Sequence, residues 1–125
     1  MIKAKDLMIG DYVLERNGFP MKVVSIYDDV VYLDFDGNEG DVWEEEEKNL
    51  TPLPISDELL ADLGFVKLMN DRFLFYPIEL EKIGTDYVLL LPKTETVVGT
   101  KLVGLHHLQN IYKIVVGKDL EVNLQ

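Results

Sequence analysis

Four oxygen-bearing side chains fall at the ligand spacing of a calcium loop: Asp34, Asp36 and Asn38 at alternate positions, then Glu45 at the twelfth counted from Asp34. Carboxylates so placed, closed by a distal bidentate glutamate, can surround a hard cation with oxygen. The sixth position, where the sharp bend of such a loop requires glycine, holds Glu39 instead, with Gly37 and Gly40 nearby. The flanks also read as strands rather than helices. The competing reading is therefore an Asp-Gly hairpin with acidic neighbours, and calcium stays an alternative rather than an assignment.

Directly after it come four consecutive glutamates, Glu44 to Glu47. On a strand Glu44 and Glu46 point one way and Glu45 and Glu47 the other, so they cannot converge on one ion. The run predicts a solvated edge whose like charges discourage edge-to-edge pairing. Trp43, beside it, reads as core or rim and is kept as a candidate binding residue.

His106 and His107 are adjacent on an expected helix, so they diverge by about 100° and cannot both bind one metal. His106, Asn110 and Lys113 recur at helical spacing on a polar face and could read a partner by hydrogen bonds; plain exposure to solvent explains them equally well. Gln109 borders the apolar face and is expected to be a satisfied polar group within the packing. Ser25 lies in a strand and Ser56 serves as a helix cap, so neither supports a Ser-His-Asp nucleophile. Residues 99–104 lack the Lys-Ser/Thr ending of a phosphate loop. No catalytic residue, metal centre or cofactor emerges.

The chain has 125 residues, no cysteine, and 23 acidic against 12 basic residues, a net charge of −11. A chain of that size buries roughly 60–70% of its extended surface and can fold without a staple. An apolar fraction of 47% excludes wholesale disorder. The absence of cysteine excludes a disulfide scaffold, a thiolate zinc site and a cysteine nucleophile. The acidic balance disfavours ordinary nucleic-acid binding, which depends on Lys and Arg displacing counterions. No apolar run approaches the ~20 residues of a membrane helix, and the start lacks a signal-peptide pattern, so the expectation is a soluble, cytoplasmic protein without a membrane partner.

Short strands with tight turns fill the first half. Residues 12–16 and 21–27 flank Asn17-Gly18, a dipeptide suited to the positive φ of a hairpin. Residues 30–35, 41–46 and a short fifth stretch at Leu50-Thr51 follow, and five such strands predict a small SH3-like barrel or, equally, an open meander. Pro52-Leu53-Pro54 reads as the junction. Ser56 then caps a short helix with Asp57 and Glu58 in its first turn, and Gly64 stops it. Further strands are expected at 66–69 and 72–76 about an Asn70-Asp71 two-residue turn, then at 78–83, 87–91 and 96–103. Pro77 is expected to end a pairing or mark an edge. Leu105, Leu108, Ile111, Tyr112, Val115 and Val116 form one apolar helical face ending at Gly117. Alternation over 120–124 predicts a terminal strand.

Three stretches carry a resemblance. Asp6-Leu7-Met8-Ile9-Gly10-Asp11-Tyr12-Val13, then Leu50-Thr51-Pro52-Leu53-Pro54-Ile55 through Leu63-Gly64-Phe65, then Leu105-His106-His107-Leu108-Gln109-Asn110-Ile111-Tyr112 with Gly117-Lys118-Asp119-Leu120, together resemble a family of small proteins from anaerobic gut bacteria and their phages or mobile elements. The closing helix is the most specific of the three. His107 stands where that family's pattern has Gln, and Gly104 where it has an aromatic residue. The resemblance implies a fold and brings no activity with it.

The expectation is an α+β protein: an SH3-like barrel over residues 1–52, then an α+β subdomain over 53–125 with a small antiparallel sheet and two helices. Its expected role is a non-enzymatic binding module with a protein partner. The alternatives are an acidic mimic of DNA that inhibits a nucleic-acid enzyme, and an enzyme using Asp34, Asp36 and His106.

Overall fold

Glycine's freedom at positive φ starts the first hairpin. At Gly18 (φ +86°) the chain reverses, with Gly18 N–H donating to the Glu15 carbonyl and Glu15 N–H to that of Phe19. The strands on either side are β1 (Tyr12–Leu14) and β2 (Pro20–Tyr27), so β1 ends before the turn instead of running to residue 16. β3 (Val30–Asp34) and β4 (Trp43–Glu46) complete an antiparallel sheet in the order β1-β2-β3-β4. This computed structural model describes residues 2–34, 42–91 and 96–124. Asp36 and Asn38 of the candidate calcium loop lie outside the described residues.

A bulge between Val23 and Ser25 resets which side chains of β2 face inward. Before it Met21 and Val23 are buried; after it Ile26 packs on the core while Ser25 is exposed. Val31 and Leu33 from β3 meet them, joined by Ile2, Ala4, Leu7, Val13 and Leu50. Leu50-Thr51 supplies only a single bridge, Leu14 to Thr51, on the free edge of β1. The sheet is not a closed barrel.

A second antiparallel sheet runs β5 (Val66–Leu68), β6 (Arg72–Phe75), β7 (Ile78–Ile83), β8 (Asp86–Leu91), β9 (Thr96–Lys101) in chain order. Leu68 pairs with Arg72, so the β5–β6 turn takes in Met69 as well as Asn70 and Asp71, whose φ angles are +66° and +57°. Pro77 does not end a pairing: Phe75 and Ile78 face each other, and Tyr76-Pro77 forms the turn between them.

Helix α1 (Asp57–Leu63) begins where Ser56 Oγ accepts from Leu59 N–H at 3.1 Å and ends at Gly64 (φ +104°), as its residues predict. It buries Leu59, Leu60 and Leu63. Helix α2 (Leu105–Val116) buries Leu105, Leu108 and Tyr112, whereas Val115, expected on that face, is exposed. The 120–124 stretch alternates in burial, yet it pairs with no strand among the described residues. No helix among the described residues is long and apolar enough to cross a membrane.

The chain divides into two units: Met1–Pro54 with Gly104–Asn110, and Ile55–Val103 with Ile111–Gln125. The first holds the four-stranded sheet and the second the five-stranded one. In the first, Gly104 lies so close to the junction that a Cβ there would stand 2.7 Å from Pro52 Cβ and 3.0 Å from the Leu53 carbonyl oxygen. An aromatic residue, as in the resembling pattern, has no room at that point. Leu105 N–H then donates to the same Leu53 carbonyl.

Candidate functional site

The first unit contains a groove of about 370 Å³ lined by Glu15, Asn17, Phe19, Pro20, Met21 and Trp43. Hairpin β1–β2 forms one wall and the first residue of β4 the other. Phe19 is 67% exposed and Trp43 41%, so two aromatic rings stand open to water on either side of it. Apolar grooves of this size with a few fixed polar groups are the usual form of a ligand site.

Trp43 is fixed from behind by Glu45, which lies two residues further along β4 and is 1% exposed. Its carboxylate accepts from Trp43 Nε1 at 2.9 Å, Arg16 Nη2 at 2.9 Å, Arg16 Nε at 3.1 Å and Asn49 Nδ2 at 3.1 Å. Burial pushes the Glu45 carboxyl up, but these hydrogen bonds, Arg16's foremost, outweigh it and hold the group at about 2. The indole is thereby locked in one orientation before any ligand arrives, which spares the ordering cost of binding. Glu45 thus departs from the expected solvated edge: Glu44 and Glu46 face water, while Glu45 is turned inward against a cation. Glu47 leaves the strand altogether and accepts from Ala4 N–H at 2.7 Å.

Glu15, which also lines the groove, is another buried carboxylate, 3% exposed. Its Oε1 accepts from the backbone N–H groups of Asn17 and Phe19, both at 2.9 Å, and its Oε2 from Asn17 Nδ2 at 3.2 Å. It therefore holds the turn that presents Phe19. Sequence reasoning missed Glu15, Phe19 and Pro20. The available signal was the placement of a large aromatic and a proline immediately after Asn17-Gly18, where turn chemistry alone would favour small polar residues.

The other candidates lie elsewhere. His106 is 6% exposed, contrary to the solvent-facing role its spacing allowed. Burial first, then neighbouring His107, pushes it down to about 4, so it is neutral at pH 7. Its Nδ1 has no hydrogen-bond partner among the described residues. Asn110 donates from Nδ2 to the Asp6 carbonyl at 3.2 Å, and Lys113, in the second unit, pairs with Asp119 at 3.3 Å. None of these three lines the groove with Trp43. Asp34 is half-buried at the end of β3, and no hydrogen bond or ion pair joins it to His106 among the described residues. Those residues contain no group of three metal-ligating side chains. Gln109 is buried and satisfied as its position predicts, accepting from Tyr12 N–H at 2.8 Å and donating to the Gly10 carbonyl at 3.0 Å.

The second unit carries its own polar cluster. Asp57 accepts from Tyr87 Oη, from Lys82 Nζ at 3.2 Å and faces Lys67 Nζ at 3.5 Å. The tyrosine hydrogen bond, then Lys82 and Lys67, hold the Asp57 carboxyl below its usual range. Each charge in it has an opposite partner, and the cluster ties the first turn of α1 to β5, β7 and β8.

Comparison of the chain with protein-family models, with curated proteins and with solved structures finds no match.

Proposed function

We propose that the chain is a non-enzymatic binding module whose docking site is the groove between Phe19, Pro20 and Trp43. The observation that carries this reading is a half-exposed indole locked by a buried carboxylate at the mouth of an apolar groove. Exposed aromatics with fixed geometry are what protein interfaces use as anchors. The strand order also supports an SH3-like barrel, since Thr51 pairs with β1 at the edge opposite β2 and a 3₁₀ turn precedes it. The resemblance to proteins of gut bacteria and their phages or mobile elements supports a partner in such a cell.

The test is paired isolation of the unaltered chain, Trp43→Ala and Phe19→Ser from host cells. The reading expects one partner, retained by the first and lost by both variants. Equal recovery with all three would refute it.

A second reading, an acidic mimic of nucleic acid, draws on the concentration of charge: residues 1–54 contain thirteen acidic and five basic side chains. It expects a partner that releases DNA when the chain is added, with Phe19→Ser as effective as the unaltered protein.

A further inference from the structure

Within the groove, the aromatic faces and the buried carboxylate favour the same kind of ligand. Glu15 is almost wholly buried, and its three side-chain hydrogen bonds all come from neutral donors, two backbone N–H groups and one carboxamide. Neutral donors satisfy the oxygens without cancelling the charge. Among the described residues no Lys or Arg forms an ion pair with Glu15; the adjacent Arg16 is committed to Glu45. A carboxylate withdrawn from water, attracted by Arg16 through space but not paired with it in contact, still projects part of its field into the nearest open space, and here that space is the groove it lines. The rings of Phe19 and Trp43 line the same space, and the π face of an aromatic ring attracts a cation and repels an anion. Met21 and Pro20 complete an apolar lining suited to a methylene stem.

We infer that the group seated in this groove is the ammonium of a lysine side chain, presented by a basic segment of a partner protein. This rests on the docking reading above and adds the chemistry of the occupant. The stem packs on Met21 and Pro20, the ammonium lies between the aromatic faces, and Glu15 supplies the opposite charge. The surrounding charge agrees: thirteen acidic against five basic residues in the first 54 draw a basic segment toward this unit.

The chain has a single tryptophan, and it is Trp43, so its intrinsic emission reports on the groove directly. Two capped pentapeptides serve as probes, Gly-Ala-Lys-Ala-Gly and its counterpart with norleucine, which keeps the stem and removes the ammonium. At fixed ionic strength the lysine peptide should half-saturate the Trp43 signal at roughly tenfold lower concentration than the norleucine peptide. Glu15→Gln should abolish that advantage while leaving the norleucine response in place. Should that variant fail to fold, raising sodium chloride on the unaltered protein should weaken the lysine peptide alone. Equal binding of the two peptides overturns the cation and leaves the docking reading standing. No response of Trp43 to either peptide overturns both.

Discussion

The two units solve the same problem, keeping charge and aromatic surface in order, in opposite ways. In the second, Phe75 stacks on Tyr112 with ring centroids 5.7 Å apart and meets Phe65 at a tilt at 5.5 Å, and Phe73 meets Tyr87 edge-on at 5.9 Å. Its ion pairs, Lys82 and Lys67 with Asp57, Lys101 with Asp86 and Lys113 with Asp119, lie at the surface. In the first, Phe19 and Trp43 are left open while Asp11, Glu15 and Glu45 are drawn inside. Aromatic rings that pair with each other stabilise a fold. Rings left facing water and braced by buried acids do so less well, and are the arrangement expected of a surface that meets something else.

The largest test of that contrast is Glu45→Ala. It strips Arg16, Trp43 and Asn49 of a shared acceptor inside the first unit and should cost about 3 kcal/mol in denaturant unfolding, with Trp43 emission shifted to the red. Asp57→Ala, in a solvent-exposed cluster of the second unit, should cost clearly less. Similar losses for the two would erase the distinction between the units.

Acid should separate the units next. The His106 imidazole titrates at about 4 in the folded protein against 6.5 ordinarily. Below 6.5 the unfolded chain therefore binds more protons, and stability falls as pH drops toward 4, by at most about 3 kcal/mol, then stops responding to this group. Glu45, at about 2 against 4.5, adds a second decline between pH 4.5 and 2. Unfolding midpoints of His106→Phe between pH 7 and 4 should lose most of the upper step, with His107, also pushed down by burial, keeping a remainder, and should leave the lower step intact.

Gly104→Ala should cost about 2 kcal/mol, because its Cβ would overlap Cβ of the rigid Pro52 ring and crowd the Leu53 backbone carbonyl, neither of which is the free end of a flexible side chain. Phe19→Ser closes the series: exposed as the ring is, stability should move by no more than about 0.5 kcal/mol while groove binding is lost. A large loss of stability there would make Phe19 part of the packing and close the groove as a site.

Much of the architecture was legible because local rules decide it. Ser56 and Gly64 bracket α1, Gly18 reverses the chain between β1 and β2, Gly117 follows the end of α2, and Leu105, Leu108 and Tyr112 mark the inner face of α2. The failures share a cause: they depended on a partner distant in sequence. Alternation over 120–124 names an inward side but cannot supply a neighbouring strand. Nothing local to Glu44-Glu45-Glu46 tells that Arg16, on another hairpin, will draw Glu45 inward. His106 has the spacing of a polar face, and its burial comes from outside its own helix.

Gln109 binds the Gly10 carbonyl and the Tyr12 N–H, on the edge of β1 away from β2. During synthesis that edge is made early, whereas the side chain that seals it is added almost a hundred residues later. Until then the N–H and C=O groups there must stay hydrated or find a temporary mate, leaving the nascent first sheet a bare margin to which a stray strand can add. The sheet of the first unit leaves the ribosome before that of the second, yet it can be finished only once the closing helix has emerged.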